Sequence, residues 1–284
     1  MLDVLVDTLI DVVKLLPFLF ITYVLMEYIE HKMTDKNKEI IEKSGKAGPL
    51  FGGLLGMIPQ CGFSAAGSNL YVGRIITIGT LIAVYLSTSD EMLPILLSEK
   101  VSIISIVKII ALKAVIGIVA GFAIDLILKG EEVKKEKLED ICDHDHVDGK
   151  EDSLIKSALK HTLNITMYLL IFSFVLNTLF YFIGEETLTN LLYNKPIIGN
   201  IISGLVGLIP NCAASVAIST LYVKGIISFG VMMSGLLVGA GVGLIVLVRL
   251  NKNVKENVTI ITTLYLIGVV AGILLDLLNV GSFI

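Results

Sequence analysis

Two acidic residues stand inside an apolar stretch of this sequence. Asp90 and Glu91 lie within the apolar block of residues 75–97, which includes the run ITIGTLIAVYLSTSDEM. A carboxylate at that depth in a membrane costs several kcal/mol unless it is paired or solvated, so it marks a cation or proton site. The competing interpretation ends the helix at Leu86 and places both acids in an aqueous loop before Pro94. We favour the buried site, because the matching stretch at residues 226–250 predicts an uninterrupted helix.

A proline-polar-cysteine motif occurs twice, as IPQC at residues 58–61 and as IPNC at residues 209–212. Proline removes a backbone donor and disfavours helix at the residue before it, so each motif predicts a broken helix or a re-entrant hairpin. Cys61 and Cys212 would then begin short helices, where the helix dipole favours the metal-binding thiolate. The alternative makes each cysteine a small residue for close helix packing.

The donor types around these motifs do not name an ion. Thiolates suit soft metals, whereas carboxylate and carbonyl oxygens suit manganese or magnesium. We predict a substrate path through the polar residues of both features: Gln60, Cys61, Ser64, Thr88, Ser89, Asp90, Glu91, Asn211, Cys212 and Ser215.

A second set of polar residues lies at the end of the first apolar block. Glu27, Glu30 and His31 are spaced for one face of a helix, which suits a coupling site or a gate for a cation or proton. Solvated residues at the membrane interface are the other interpretation. Arg249 is either a topology anchor or a partner for Glu27.

The segment CDHDH holds metal-binding residue types inside a charged run between the two halves. Cys142, His144 and His146 could form a weak cytosolic metal tract, but such runs are also solvated acidic tails without a ligand.

The composition of this 284-residue chain indicates a membrane protein. Apolar residues make up 55% of it and the mean hydropathy is +0.85, and several long stretches carry almost no charge. These are the properties of helices that cross a lipid bilayer. We therefore expect an all-α polytopic protein of the cytoplasmic membrane.

The chain is an internal repeat. A shift of 151 positions superposes the halves without a gap, at Pro59 and Pro210, Cys61 and Cys212, Tyr71 and Tyr222, and Asp125 and Asp276. We predict a first membrane repeat over residues 1–128, a charged cytoplasmic linker over 129–153 and a second membrane repeat over 154–284. The two matched aspartates near helix ends are predicted to be structural.

The charges of equivalent loops favour inverted repeats. Residues 31–46 are rich in lysine and their counterpart at 184–195 has one, whereas the later turns reverse this, with SEKV against RLNKNVKEN. Lysine and arginine mark the cytoplasmic side. Each repeat would then have three crossing helices and one broken or re-entrant hairpin. The alternative is four crossings per half with equal orientation.

Several stretches resemble the ten-helix (10TM) heavy-metal exporter family, whose members are also labelled manganese transporters or arsenic efflux permeases. They are LPFLFITYVLMEYIEHK, IPQCGFSAAGSNLYVGR, ITIGTLIAVYLSTSDEMLPILL, IPNCAASV and GLLVGAGVGLIVLVRLNKN. The resemblance implies efflux of a metal across the membrane.

The leading hypothesis is a secondary transporter that exports a divalent or heavy-metal cation, manganese-like, through a midplane site between inverted repeats. An efflux permease for arsenic or another anion is the alternative, because helix N-termini at both breaks favour anions. The sequence contains neither a Gly-x-x-x-x-Gly-Lys nor a His-Glu-x-x-His motif, so we expect no enzyme. We expect no cofactor beyond the transported ion and no nucleic acid; the partners are the lipid bilayer and a small inorganic ion, and the oligomeric state is open.

Overall fold

The computed structural model describes residues 47–58, 61–89, 92–128, 196–210 and 212–283, with single helical positions between 9 and 24 and between 159 and 178. Within this part all regular secondary structure is helical, and there is no strand. Three stretches are long and apolar enough to cross a membrane, at Ile103–Leu128, Phe229–Leu250 and Val254–Leu277. The predicted all-α fold is therefore confirmed.

The described part of the first repeat contains five helices. They are α1 (Gly48–Gly56), α2 (Cys61–Val72), α3 (Ile78–Ser87), α4 (Met92–Ser98) and α5 (Ile103–Leu128). The interval between α1 and α2 contains Pro59, as the sequence predicts.

The second repeat has the same order of helices. They are α6 (Pro196–Gly207), α7 (Cys212–Val223), α8 (Phe229–Val238), α9 (Val242–Leu250) and α10 (Val254–Leu277), followed by a 3₁₀ turn at Val280–Phe283. Pro210 lies between α6 and α7, so the predicted break is confirmed in both repeats.

Matching hydroxyl residues start the central helix of each repeat. The side chain of Thr77 accepts a hydrogen bond from the Thr80 amide before α3, and Ser228 accepts one from the Val231 amide before α8. A hydroxyl at this position satisfies one of the amides that a helix start leaves without a partner. Both helices therefore begin at equivalent residues for the same local reason.

The central helices α3 and α8 lie inside the protein, and the long helices α5 and α10 lie outside them. The most apolar window of Phe229–Leu250 is 83% buried, against 33% for the windows in α5 and α10. Exposed leucine, isoleucine and valine on the outer helices suit contact with lipid. The outer helices thus face lipid, and the inner, interrupted helices form the interior of the protein.

Close backbone contact fixes each inner helix on its outer neighbour. A β-carbon on Gly79 would fall 2.2 Å from the Gly121 carbonyl oxygen, and one on Gly230 would fall 2.2 Å from the Gly272 oxygen. Small residues allow membrane helices to approach this closely. The same contact in both repeats places α3 on α5 and α8 on α10 in equivalent ways.

The helix before each proline break, α1 or α6, runs beside the central helix of its repeat, and α1 and α3 run in the same direction. In the first repeat, Gly48 contacts Thr80 near the starts of α1 and α3, and Gly56 contacts Ser87 near their ends. In the second, Gly207 at the end of α6 contacts Gly235 of α8. The repeats meet where α2 packs on α9, α7 on α4 and α3 on α8.

Candidate functional site

The central helical stretch of each repeat is interrupted, which corrects one expectation from the sequence. Residues 226–250 were expected to form an uninterrupted helix, but α8 ends at Val238 and α9 begins at Val242. The backbone at Gly241 has φ 53° and ψ −135°, a conformation that glycine adopts without steric cost. The break in the second repeat therefore comes from glycine, without an acid or a proline.

The interruption in the first repeat lies inside the protein. Helix α3 ends at Ser87, one residue after Leu86, where the loop interpretation ends the helix. Thr88 and Ser89, which follow it, are only 2% and 1% exposed. Thr88 and Ser89 are therefore buried, and the loop interpretation of the two acids stays a prediction. Asp90 and Glu91 follow them in the chain and lie outside the described residues.

Lys113 is a functional candidate that was not among the site residues predicted from the sequence. It lies in the middle of α5 and is 1% exposed. Its ammonium donates hydrogen bonds to the Thr88 carbonyl oxygen and, at 2.7 Å, to the Leu236 carbonyl oxygen. These carbonyls lie at the C-terminal ends of α3 and α8, where the helix dipoles favour a positive charge. One side chain thus joins the two interrupted helices.

A signal for Lys113 is present in the sequence. It is a lysine in the centre of an apolar stretch of spanning length, and such a residue is by default a functional hypothesis. Its equivalent after the 151-residue shift is Leu264, just as the equivalent of Asp90 is Gly241. The first repeat therefore differs from the second by an acid and a base in corresponding regions.

A small cavity lies next to the Lys113 ammonium. It measures about 10 Å³, room for about one water molecule. Its described lining is Thr88, Ser89, Met92, Lys113, Ser215, Leu236 and Gly239. Three residues of the predicted path, from both repeats, are thus brought together around it: Thr88, Ser89 and Ser215.

Ser64, the repeat equivalent of Ser215, lies in a different environment. It is fully buried in α2, and a β-carbon on Gly243 of α9 would fall 2.8 Å from its backbone and side-chain atoms. Beside this contact, the Gly243 carbonyl oxygen accepts hydrogen bonds from Ser68 at 2.7 Å and Tyr85 at 3.2 Å. Ser64 therefore belongs to a tight helix contact between the repeats.

The two motif cysteines stand at the first residues of α2 and α7, as the sequence predicts. The described structure covers their backbone and not their side chains. Among the described residues, no group of three or more histidine, cysteine, aspartate or glutamate side chains could hold a metal. The remaining predicted site residues lie outside the described part: Gln60, Asn211, Glu27, Glu30, His31, Cys142, His144 and His146.

The matched aspartates have the structural role that the sequence predicts. Asp125 accepts hydrogen bonds from the Thr77 hydroxyl at 2.7 Å and the Gly79 amide at 3.0 Å. Asp276 accepts the equivalent bonds from Ser228 at 2.8 Å and the Gly230 amide at 2.7 Å. Each carboxylate therefore holds the start of a central helix against its outer helix.

An ion pair joins the repeats at one end of the molecule. The Arg74 guanidinium, in the turn after α2, contacts the Glu256 carboxylate near the start of α10 at 2.7 Å. The hydrogen bond to Glu256 raises the pKa of Arg74, so the guanidinium stays charged. The Tyr71 hydroxyl donates to the same carboxylate. Arg249, which we considered as an anchor or gate, is exposed in the last turn of α9.

Interrupted helices that meet at a buried polar cavity in an all-helical membrane protein are a feature of membrane transporters. The chain belongs to the family described as "Putative, 10TM heavy-metal exporter", whose profile matches residues 1–182. The match covers the first repeat, the linker and the beginning of the second repeat. No curated protein and no solved structure matches the chain.

Proposed function

We propose that this protein is a secondary transporter that exports a divalent or heavy-metal cation, manganese-like, across the cytoplasmic membrane. The observation that carries the proposal is the convergence of interrupted helices from both repeats on one buried cavity beside Lys113. Thr88, Ser89 and Ser215 offer hydroxyl oxygens there, and Asp90 and Glu91 follow directly in the chain. Oxygen ligands of this kind suit manganese and other hard divalent ions.

The direction of α1, the helix before the break at Pro59, supports a re-entrant hairpin over a fully crossing helix. Because α1 runs beside α3 and parallel to it, both occupy the same part of the membrane thickness. A fully crossing second block would put α1 and α3 in opposite halves. With a re-entrant hairpin each repeat crosses three times, and an odd number of crossings inverts the second repeat.

The contacts between repeats support the inversion independently. Helices α2 and α9 run side by side, from the contact of Ser64 with Gly243 to the ion pair of Arg74 with Glu256 beyond their ends. In inverted repeats, α2 of the first repeat and α9 of the second both run from the middle of the membrane to the same face. Equally oriented halves with four crossings would send them to opposite faces.

The inverted arrangement predicts the sidedness of two segments. The linker at residues 129–153 is expected on the cytoplasmic side, and the C-terminus on the outer side. Impermeant labelling of single cysteines introduced at each segment, in intact cells and in permeabilised cells, measures this. Labelling of both segments under the same condition would contradict the inversion.

A second candidate is efflux of arsenic or another anionic substrate, tested below with arsenate, and Lys113 favours it. The ammonium is a buried positive charge at the cavity, and α2, α4, α7 and α9 all begin at the breaks. The N-termini of helices attract anions. The two candidates differ in the sign of the charge that the site binds.

Transport by the purified protein in sealed liposomes separates them. We expect accumulation of manganese, or of a softer divalent ion such as cadmium, above that of protein-free liposomes, and no accumulation of arsenate. Arsenate uptake without divalent ion uptake would establish the second candidate. Cell metal content in a strain lacking the gene should rise if the direction is export, and complementation should reverse it.

The motif cysteines can be tested in the same liposomes. If Cys61 and Cys212 bind the substrate as thiolates, changing both to serine should reduce transport of cadmium more than transport of manganese. An equal effect on both ions would assign the cysteines to helix packing.

A further inference from the structure

The Lys113 ammonium has the surroundings of a bound metal cation. It hydrogen bonds to two backbone carbonyls, from Thr88 in the first repeat and Leu236 in the second, and it is almost completely buried. The hydroxyl residues Ser89 and Ser215 line the cavity beside it. Carbonyls from the ends of interrupted helices, one helix from each repeat, are the groups that bind coupling sodium ions in secondary transporters.

We propose that Lys113 is a tethered monovalent cation, which permanently fills a site that would otherwise bind sodium or potassium. Its positive charge compensates the negative ends of α3 and α8 and holds the repeats together across the cavity. Because the charge is covalently attached, this contact between the repeats forms without a free monovalent cation. The inference concerns this carbonyl site and does not depend on which substrate the protein transports.

The comparison between repeats supports a specific role for the charge. At the equivalent position of the second repeat, Leu264 is fully buried in α10, so the architecture accepts an apolar side chain of similar size there. A lysine in the membrane interior is costly unless its charge has partners. The two carbonyls from different repeats are such partners, and the matched leucine provides a control.

The proposal predicts a new salt dependence when the tether is removed. Lys113→Ala leaves the two carbonyls facing a space that a free cation can enter. We expect this variant to unfold at a lower temperature than the wild type in N-methylglucamine chloride. Sodium or potassium chloride at equal ionic strength should then raise its unfolding temperature by at least about 4 °C.

The measurement is thermal unfolding of the purified full-length protein, followed by circular dichroism in each salt. The wild type is expected to unfold at the same temperature in all three salts, since its site is already filled. Leu264→Ala is the matched control, because it opens a buried space at the equivalent position without removing a charge. It should lose stability and show no response to sodium or potassium.

Two results would overturn the proposal. One is stabilisation of the wild type by sodium or potassium relative to N-methylglucamine, which would mean that the site is open to free cations. The other is that Lys113→Ala gains no more from these ions than Leu264→Ala does. If Lys113→Ala yields no folded protein, Lys113→Ser replaces it; recovery of either variant only in sodium or potassium supports the proposal, and failure of both in every salt overturns it.

Discussion

Asp90→Asn is expected to reduce ion transport strongly while the protein remains folded. The second repeat makes the same interruption with Gly241 and Val242 in place of Asp90 and Glu91, so the fold does not need the acid to break the helix. Asp90 follows buried Thr88 and Ser89 in the chain, and a carboxylate in the membrane interior is costly unless it is paired or solvated. Its retention is most simply explained by a bound cation or proton.

The measurement is the initial rate of ion uptake into liposomes, with circular dichroism to verify folding. Asparagine keeps the size of the side chain and removes its charge, so we expect the rate to fall at least about tenfold, the effect of about 1.4 kcal/mol at the rate-limiting barrier.

Glu91→Gln is the matched control for Asp90→Asn. Glu91 stands between Asp90 and the first residue of α4, so it carries the same charge one position further along the chain. If only one of the acids faces the path, Glu91→Gln should retain more of the transport rate. Unchanged transport and unchanged pH dependence in Asp90→Asn would remove the acid from the mechanism.

Gly243→Ala is expected to cause the largest loss of stability among single-methyl substitutions at the contact between repeats. The added β-carbon would fall 2.8 Å from the backbone carbon and oxygen of Ser64, so helices α2 and α9 would have to separate. Their separation would also disturb the hydrogen bonds that Ser68 and Tyr85 donate to the Gly243 carbonyl. Overpacking of this kind costs about 1–3 kcal/mol, or roughly 2–12 °C in unfolding temperature.

Gly67→Ala in α2 is the control for this prediction. A β-carbon there would meet a Val84 methyl group at 3.3 Å, and a side chain can adjust more easily than a helix backbone. Thermal unfolding followed by circular dichroism should therefore rank wild type, Gly67→Ala and Gly243→Ala in order of decreasing stability. Equal stability of the two variants would mean that α2 and α9 do not make the tight contact described.

The sequence alone determined the features that arise from short segments of chain. Proline cannot continue the hydrogen-bond pattern of a helix, so the intervals containing Pro59 and Pro210, and the helix starts at Cys61 and Cys212, could be predicted. The 151-residue repeat then predicted that both halves would share these features. The structural role of Asp125 and Asp276 followed from their matched positions near helix ends.

Only the tertiary structure decided which distant groups meet. Glycine permits a break but does not require one, so the interruption at Gly241, directly before α9 packs against α2, could not be predicted from residues 226–250 alone. The sequence places Lys113 inside a membrane span, but its two carbonyl partners come from separate repeats. The role of a buried charge depends on its partners, and the partners of Lys113 are 25 and 123 residues away along the chain.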